Sequence, residues 1–248
     1  MSTQSRAFTP ESSEFEPLYA GEVRVEGMGM KLDFLPWDIG EPQPAIVAIE
    51  QAGGFTGPVL DAGCGVGENA IYLAGRGYQV TGVDGSPSAV TQAAERARAH
   101  GVDVSLGVAD VTRLDGVGVE GGFASALDWG LYHCLDDEQR RPYAAALHRV
   151  CRPGASWHLL CFTESTAASL PMSWLRVGHD DMRASFEGYW RILGIQETTT
   201  TTQLTREIFE QQRNNAPGRR LPFDPDALDV DEHGRILMPI SHVHAERT

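Results

Sequence analysis

The stretch that decides the fold is "GPVLDAGCGVGENAIYLAGRGYQVTGVDGS", residues 57 to 86. A short apolar run ends at Asp61, glycines follow at positions 63, 65 and 67, and a segment with helical character comes next. A strand, a glycine-rich turn and a helix in this order are typical of an open α/β sheet, in which ligands bind outside the carboxyl ends of the strands. We therefore expect this turn to lie against a ligand.

Two kinds of phosphate-binding turn are excluded by the residues that follow the glycines. A dinucleotide fingerprint requires its third glycine at position 68, where this chain has Glu68. A carboxylate at the start of the helix offers nothing to a pyrophosphate, which binds there through backbone N–H groups. A Walker phosphate loop requires Gly-Lys followed by Ser or Thr, and no such sequence follows this turn.

Short apolar strands alternate with helical segments through most of the chain. This alternation predicts an α/β fold with a doubly wound, mostly parallel sheet of seven strands and helices on both faces. The Pro-, Asn- and Asp-rich residues 211 to 234 are predicted to form an inserted loop. The predicted strands cover 58–63, 78–84, 102–110, 122–128, 155–162, 190–202 and 234–246, and the predicted helices cover 68–77, 87–101 and 137–150, with a further helix beginning at 179.

The charge of the chain limits its partners. The 248 residues include 34 acidic and 20 basic side chains, for a formal net charge of -14. A polyanion would meet net repulsion, which argues against a nucleic-acid substrate. Lys31 is the only lysine, and the arginines are scattered along the chain rather than gathered into one patch.

The cysteines and the N-terminus predict a cytoplasmic protein without a membrane segment. Cys64, Cys134, Cys151 and Cys161 lie far apart with no C-x-x-C pair, which favours free thiols in a reducing compartment. The first residues lack the basic and apolar regions of a signal peptide, and no apolar run approaches the roughly 18 residues of a membrane span.

The glycine turn and the segments after it resemble class I S-adenosylmethionine-dependent methyltransferases. "DAGCGVG" (61–67) and "GVDGSP" (82–87) match the first two motifs of that family. "VAD" (108–110), "ALDWGLYHCL" (126–135) and "LHRVCRPGASWHLLCF" (147–162) follow in the family's order. The resemblance implies a Rossmann-like methyltransferase fold and S-adenosyl-L-methionine as the cofactor. A sulfonium cation in place of phosphates makes nearby carboxylates favourable.

The resemblance also implies which residues bind the cofactor. Asp84, at the end of the second strand, is expected to accept hydrogen bonds from both ribose hydroxyls. Gly63 and Gly65 let the backbone lie against the amino-acid and sugar portion, and Asp61 orients the turn or reaches the cofactor amine through water. Asp110 is a candidate partner of the adenine amino group. The complete set of implied cofactor-binding residues is Trp37, Asp61, Gly63, Cys64, Gly65, Asp84, Gly85, Ala109, Asp110, Val111 and Asp128.

A closer branch of the family is indicated by "FLPWDIGEPQPAI" (34–46) and by the D-x-G-L-x-H pattern at 128–133. Both resemble small-molecule methyltransferases related to thiol, halide, thiopurine and quinone or phenol methylating enzymes. In such enzymes the N-terminal segment closes over the cofactor, so Trp37 is expected either to place its ring against the sulfonium or to pack on the helix that begins near Ala45.

The same resemblance divides the chain into regions. Residues 1–40 are interpreted as an N-terminal tail and lid, in which residues 1 to 16 are a mobile tail and residues 15 to 37 form a helix or two with loops. Residues 41–248 are interpreted as a single methyltransferase domain. Residues 165–235 follow no family pattern and are expected to be a C-terminal insertion that shapes the acceptor pocket.

Methyl transfer from a sulfonium is an in-line displacement, so the protein acts mainly by positioning, and a base is needed only if the acceptor loses a proton. His133 is the candidate base, or else it braces the loop before the next helix. Asp128 is expected to hydrogen-bond the cofactor's amino group or His133, which makes these two the candidate catalytic pair. Trp129 and Tyr132 are expected to wall an aromatic acceptor or to pack against the sheet edge. The candidate substrate-contacting residues are therefore Trp37, Trp129, Tyr132 and His133.

No metal site is predicted. His242 and His244 share one face of a strand by their spacing, but no third ligand is identifiable. The acidic residues 136 to 138 are typical of a helix N-terminus, and His158 is typical of a hydrogen-bonded histidine within a strand.

Three functions remain compatible with the motifs. The first is methyl transfer to an O, N or S atom of a small, aromatic metabolite. The second is another reaction on the same scaffold, and the third is a non-catalytic cofactor-binding protein that serves a partner. All three require the glycine turn, Asp84 and Asp110, so these residues do not separate them.

Overall fold

The computed structural model describes residues 15–21, 25–27, 30–115, 122–166, 175–215 and 224–248. Most of the predicted N-terminal tail lies outside these ranges. The helices are α1 (Glu16–Tyr19), α2 (Pro44–Gln51), α3 (Glu68–Gly75), α4 (Pro87–His100), α5 (Asp137–Val150), α6 (His179–Phe186) and α7 (Arg206–Asn215). The strands are β1 (Val25–Gly27), β2 (Met30–Leu32), β3 (Val59–Ala62), β4 (Val80–Asp84), β5 (Ser105–Val108), β6 (Phe123–Trp129), β7 (Cys151–Cys161), β8 (Trp190–Thr205) and β9 (Arg235–Arg247).

Seven of these strands form one sheet in the order β5-β4-β3-β6-β7-β9-β8. Strands β3 to β7 pair in parallel, whereas β9 runs antiparallel to both of its neighbours. This arrangement confirms the predicted doubly wound, mostly parallel sheet of seven strands. No helix in the described part of the chain is long and apolar enough to cross a bilayer.

The central strands are apolar because helices cover the sheet on both faces. On one face, Trp157 of β7 stacks on Phe186 of α6 with ring centroids 4.6 Å apart. On the other face, Ile46 of α2 and Leu73 of α3 are fully buried in a second cluster. The two layers hold the sheet rigidly between them, so the loops at the ends of its strands start from fixed positions.

The structure differs from the sequence prediction in two segments. The residues predicted as a helix or two with loops contain the four-residue α1 and the short antiparallel pair β1 and β2. The predicted inserted loop is entered by α7, which is anchored by the buried Phe209. The Pro and Asp residues that predicted a loop come after this helix in the sequence, whereas its apolar anchors lie at its start.

Helix α5 follows the loop that carries the D-x-G-L-x-H pattern, and it begins with a capping box. Asp136 accepts a hydrogen bond from the Gln139 backbone N–H at 2.8 Å, and the Gln139 side chain accepts one from the Asp136 backbone N–H at 3.0 Å. This pairing satisfies two N–H groups that the first turn of a helix leaves without an intrahelical partner. The acidic run at 136 to 138 is therefore a helix start, as its sequence indicated.

Replacing the capping side chain should destabilise the protein measurably. We expect Asp136→Ala to lower the free energy of unfolding by about 1 kcal/mol, because the N–H of Gln139 loses its acceptor. Glu138→Ala is the matched control, since it removes the same charge from the same exposed turn and should cost only about 0.3 kcal/mol. Urea unfolding followed by circular dichroism measures both, and equal losses would contradict the capping role.

Candidate functional site

A cavity of about 580 Å³ follows the carboxyl edge of the sheet. The strand order reverses beside β3, with β4 on one side and β6 on the other. Such a switch point opens a crevice because the connections leave in opposite directions. We call the part at the ends of β3, β4 and β5 the β3–β5 half. The part at the ends of β6, β7 and β8 and the start of β9 is the β6–β9 half.

The glycine turn after β3 forms the floor between the two halves. Gly63 and Gly65 have φ angles of 73° and 54°, in the left-handed region that favours glycine. A Cβ on Gly63 would lie 2.7 Å from the Leu131 Cβ, and one on Gly65 would lie 2.8 Å from the Tyr19 hydroxyl oxygen. Both the backbone conformation and the neighbouring atoms therefore require glycine here. Cys64, between them, also lines the cavity.

Asp61 lies beneath this turn and does not line the cavity. Its side chain is 2% exposed and accepts a hydrogen bond from the Ala70 backbone N–H in the first turn of α3. Its Oδ2 atom makes no hydrogen bond to any described residue. Burial, together with the negative charges of Asp128 and Asp84, raises the pKa of Asp61 to about 8. The side chain thus orients the turn and leaves one buried acceptor atom unsatisfied.

Asp84 joins the turn to the end of β4. Its Oδ2 accepts from the Gly65 backbone N–H at 2.9 Å, and its Oδ1 accepts from the Ser86 backbone N–H at 2.8 Å. Burial raises the pKa of this carboxyl even though both hydrogen bonds favour its ionised form. Gly85 lines the cavity beside it, and a Cβ there would meet no atom within 4 Å. The missing side chain at Gly85 leaves space for a ligand rather than for packing.

The loop after β5 completes this half. Ala109, Asp110 and Val111 all line the cavity. The Asp110 Oδ1 accepts from the Thr112 backbone N–H at 2.9 Å and from its hydroxyl at 2.6 Å. This local turn holds the Asp110 carboxylate at the cavity edge.

The segment that contains Trp37 covers the β3–β5 half. The Trp37 indole N–H donates to the Tyr19 hydroxyl at 3.2 Å, and its ring meets Phe15 edge to face at 6.2 Å. Asp38 binds the Arg96 guanidinium of α4 through two contacts of 2.7 and 2.8 Å. Arg96 also binds Glu68 at 2.5 Å. The carboxylate at position 68 thus serves an ion-pair cluster that fixes the covering segment.

Helix α1 packs beside this cover through Glu16. Its carboxylate accepts from the Ser86 hydroxyl at 2.5 Å, and from the Ser88 hydroxyl and backbone N–H at 2.7 and 3.0 Å. These bonds lower the pKa of Glu16. They tie the covering helix to the start of α4, directly beyond Asp84.

The β6–β9 half is walled by side chains that bind one another. The Trp129 indole N–H donates to the Thr200 hydroxyl at 3.2 Å, which donates in turn to the Gln43 Oε1 at 3.0 Å. Gln43 also accepts from the Thr201 backbone N–H at 3.0 Å, and its own backbone N–H donates to the Asn69 Oδ1 at 3.0 Å. Gln43, in the loop before α2, therefore joins that loop to β8 through its side chain and to α3 through its backbone.

His133 lines the cavity beside Phe162. Its Nδ1 accepts from the Phe162 backbone N–H at 3.2 Å, and the two rings lie 4.7 Å apart. The side chain is 7% exposed, and this burial, with the positive charge of Arg140, lowers the pKa of His133 to about 3. The ring is therefore neutral near pH 7, with Nε2 as the nitrogen that carries the proton.

Neither Asp128 nor Tyr132 lines the cavity, so the expected ligand contact of Asp128 is absent and Tyr132 follows the packing alternative. Asp128 is fully buried and accepts from the backbone N–H groups of Leu131 and Tyr132 and from the Tyr143 hydroxyl, the last at 2.9 Å. It caps the short 3-10 turn Tyr132–Cys134 and has Leu131, Tyr132 and Tyr143 as its hydrogen-bond partners rather than His133, while burial raises the pKa of Asp128 to about 7. Tyr132 turns into the core, where its hydroxyl lies 2.5 Å from the Ser185 hydroxyl.

The charge around the cavity is negative. Among the described residues, acidic side chains line it and no Lys or Arg does. These carboxylates suit a cationic ligand and disfavour a phosphate. The three strand histidines lie outside the cavity, where His158 bonds to His242 at 3.0 Å and to the Gly54 carbonyl at 2.7 Å. No group of metal-ligating side chains occurs in the ranges that the structure describes.

Several cavity residues were not predicted as site residues. Phe162 could have been found from its place at the end of a predicted strand, in line with Trp129. Gln43 lies within the segment 34–46, and the others come from segments outside the motifs. They include Phe15, Glu16, Tyr19, Gln43, Leu175, Thr200, Leu204, Met238 and Ile240.

The sequence is similar to those of known methyltransferases. Residues 59–154 match the family model described as a methyltransferase domain. The chain is 32% identical over 179 residues to the 2-heptyl-1-hydroxyquinolin-4(1H)-one methyltransferase of Mycobacteroides abscessus, which covers 72% of this chain and 76% of that protein.

Solved structures agree. One solved structure has as its subject the conversion of a disulfide bond into a thioacetal group during echinomycin biosynthesis. Its sequence is 33% identical to this chain, and the match covers 94% of this chain and 90% of the other, with a TM-score of 0.71. The fold is shared by the Synechocystis magnesium protoporphyrin IX methyltransferase with bound SAM, at 18% identity and a TM-score of 0.52 over 82% of this chain and 76% of that one.

The site fits the cofactor of these relatives on its own evidence. A cavity whose described lining includes carboxylates and no Lys or Arg, a glycine turn held by Asp84 and the open space at Gly85 match a ligand with a sulfonium and an amine. The chain belongs to the class I S-adenosylmethionine-dependent methyltransferases, in their small-molecule branch.

Proposed function

We propose that the protein transfers the methyl group of S-adenosylmethionine to an O, N or S atom of a small aromatic metabolite. One observation carries this proposal: a single cavity joins the turn held by Asp84 to a wall formed by the rings of Trp129, His133 and Phe162. Aromatic walls favour a flat acceptor, because offset or edge-to-face ring contacts add to the area that is buried. The acceptor in the name of the Mycobacteroides relative is a heterocycle with an N-hydroxyl and a carbonyl.

The residues of the β3–β5 half hold the cofactor in this proposal. Asp84 accepts from the ribose hydroxyls with oxygens that have lone pairs left beyond their two backbone bonds. Asp110 would contact the adenine, and Asp61 would act by orienting the turn, since it does not line the cavity. When bound, S-adenosylmethionine would supply an electrophilic methyl carbon. Trp37 would contact the sulfonium, and a desolvated cation–π contact of this kind is worth about 2 kcal/mol.

The residues of the β6–β9 half position the acceptor and exclude water. Trp129 and Phe162 contact its ring, and His133 contacts its reacting atom. Holding a nucleophile in line with the methyl carbon supplies much of the rate in such displacements, because it removes the entropy cost of the encounter. Asp128 acts through the loop rather than on the substrate, since it fixes the N-terminus of the 3-10 turn that carries His133.

A second candidate is a reaction on the same scaffold whose product is not simply a methylated heteroatom. It is favoured by the solved relative of 33% identity, which is described by the formation of a thioacetal from a disulfide. The two candidates differ in their products, so the acceptor's mass and structure separate them.

The proposed function is tested by incubating the purified protein with S-adenosylmethionine and a panel of acceptors. The panel contains 2-heptyl-1-hydroxyquinolin-4(1H)-one, phenols, aromatic thiols, aromatic amines and a cyclic disulfide. We expect S-adenosylhomocysteine to form together with an acceptor heavier by one methylene. A rearranged disulfide product would favour the second candidate, and cofactor binding without any turnover would indicate a non-catalytic protein.

Removing the charge of Asp84 should weaken cofactor binding. We expect Asp84→Asn to raise the Kd for S-adenosylhomocysteine about 10-fold or more, because hydrogen bonds to a charged acceptor are about twice as strong as neutral ones. Isothermal titration calorimetry measures the Kd. Asp103→Asn is the control, since it removes the same charge from an exposed position after α4 and should change the Kd less than about 2-fold. Unchanged binding in both variants would contradict the role of Asp84.

Breaking the ion-pair cluster of the cover should also weaken binding. Arg96→Gln removes the guanidinium that both Asp38 and Glu68 bind. We therefore expect the Kd for S-adenosylhomocysteine to rise about 5-fold. The fluorescence change of the tryptophans on ligand binding should shrink, because Trp37 is then less firmly held. Arg98→Gln, on the exposed side of the same helix, is the control. Equal behaviour of the two variants would show that the cluster does not position the cover.

A further inference from the structure

Several of the polar side chains that line the β6–β9 half are already hydrogen-bonded within the protein. The Thr200 hydroxyl accepts from Trp129 and donates to Gln43. The Thr202 hydroxyl donates to the Ile236 carbonyl at 3.0 Å and accepts from the Leu204 backbone N–H at 3.2 Å.

The side-chain amide of Gln43 is also hydrogen-bonded within the protein already. Its oxygen accepts from Thr200 and from the Thr201 backbone N–H, and its nitrogen donates to the Thr201 carbonyl at 3.1 Å. A donor that is already bound can serve a ligand only by giving up its partner. Toward a ligand, this wall therefore behaves as a largely apolar surface, which Phe162, Leu175, Met238 and Ile240 extend.

The same half offers no positive charge to an anionic acceptor. Arg96 and Arg235 contact the lining residues Asp38 and Glu41, at 2.7 and 2.6 Å, but neither arginine lines the cavity. Both are committed to these carboxylates. A carboxylate or phosphate on the body of the acceptor would be buried without a partner, which is strongly unfavourable.

His133 faces this half with its lone pair used. The Phe162 backbone N–H donates to its Nδ1, so the neutral ring carries its proton on Nε2. The charged or titratable groups around it do not reverse this. Arg140 of α5 disfavours a second proton, Asp128 is spent on three hydrogen bonds, and the pKa of Cys134 is raised to about 12 by burial. The ring is thus a hydrogen-bond donor at Nε2 and has no free lone pair for a proton.

We propose, on the basis of the function proposed above, that the acceptor is an apolar ring system with no charged group other than its reacting atom. His133 meets that atom as an N–H donor and not as a base. The acceptor's own proton, where it has one, passes to solvent before transfer. The reacting atom then forms its bond to the methyl carbon while the carbon–sulfur bond breaks and leaves its electron pair on sulfur. A suitable acceptor is therefore acidic enough to ionise in water, or has a lone pair without a proton to lose.

Binding of a matched pair of acceptors tests the first part without any turnover. The probes are 2-heptyl-1-hydroxyquinolin-4(1H)-one and the same compound with the terminal methyl of its chain replaced by a carboxylate. With S-adenosylhomocysteine present, calorimetry should show the carboxylate binding about 100-fold more weakly or worse. Equal affinity would overturn the proposal. If neither probe binds, the pair is repeated with whichever acceptor the panel shows to be methylated, so failure of the proposed function is recognised separately.

The pH dependence of kcat/KM tests the second part. Without an enzyme base, the rising limb should follow the pKa of the acceptor and shift when a fluorine on its ring lowers that pKa. A limb that stays at one pH for both acceptors would show a titrating group on the enzyme and overturn the proposal. Nitrogen NMR of the S-adenosylhomocysteine complex provides a separate readout, in which His133 should remain the neutral Nε2–H form from pH 5 to pH 8.

Two substitutions separate donation from base catalysis. His133→Gln keeps an N–H donor, so we expect kcat to fall less than about 10-fold. His133→Phe keeps the ring contact but removes the donor, so a larger loss is expected. If His133 were a base, both variants would lose about 100-fold or more. An unchanged Kd for S-adenosylhomocysteine confirms that each variant is folded, and equal losses in both would contradict the donor role.

Discussion

The hydrogen bond from the Gly65 backbone N–H to the Asp84 carboxylate is the contact on which the site depends. It joins the turn after β3 to the end of β4 at 2.9 Å, and it does so at the point where the strand order reverses. Because the turn is fixed there, α3 begins at a fixed place, and its first residue is Glu68. In other nucleotide-binding proteins the start of such a helix binds a phosphate, whereas here it carries the Glu68 carboxylate, which binds Arg96.

The ion pair of Glu68 connects the glycine turn to the cover of the cavity. Glu68 shares Arg96 with Asp38, the residue after Trp37. The side chains of the three charged residues are 14 to 29% exposed, so water screens the cluster only in part. A negative turn, a positive helix side chain and a negative cover therefore form one unit. With two carboxylates and one guanidinium, this unit has a net negative charge, which suits a sulfonium ligand.

Sequence motifs identified the glycine turn, Asp84 and the loop after β5 as neighbours, because these residues lie close together along the chain. Asp84 lies 19 residues from Gly65, and both belong to one strand–turn–helix–strand unit with a recognisable pattern. The strands and helices of that unit were also predicted from the alternation of apolar runs and glycine turns, which depends on neighbouring residues only.

The other half could not be predicted in the same way, because its contacts join distant segments. Gln43 and Thr200 are 157 positions apart, and Thr200 lies outside every motif that the sequence offered. Asp128 and Tyr132 do stand in one, yet the 3-10 turn directs both side chains into the core, where Tyr143 and Ser185 bind them. A motif indicates which residues share a loop, but the turn geometry decides which of them reach the cavity.

The negative cavity also bears on how a reaction cycle can close. Methyl transfer removes the positive charge of the sulfonium, so the product of the cofactor is less cationic than its precursor. Because the cavity is lined by acidic side chains, the attraction that favours entry of the cofactor is weaker for the product. The cover is fixed close to the same carboxyl group, because Glu16 binds Ser86 and Ser88 only two and four residues beyond Asp84.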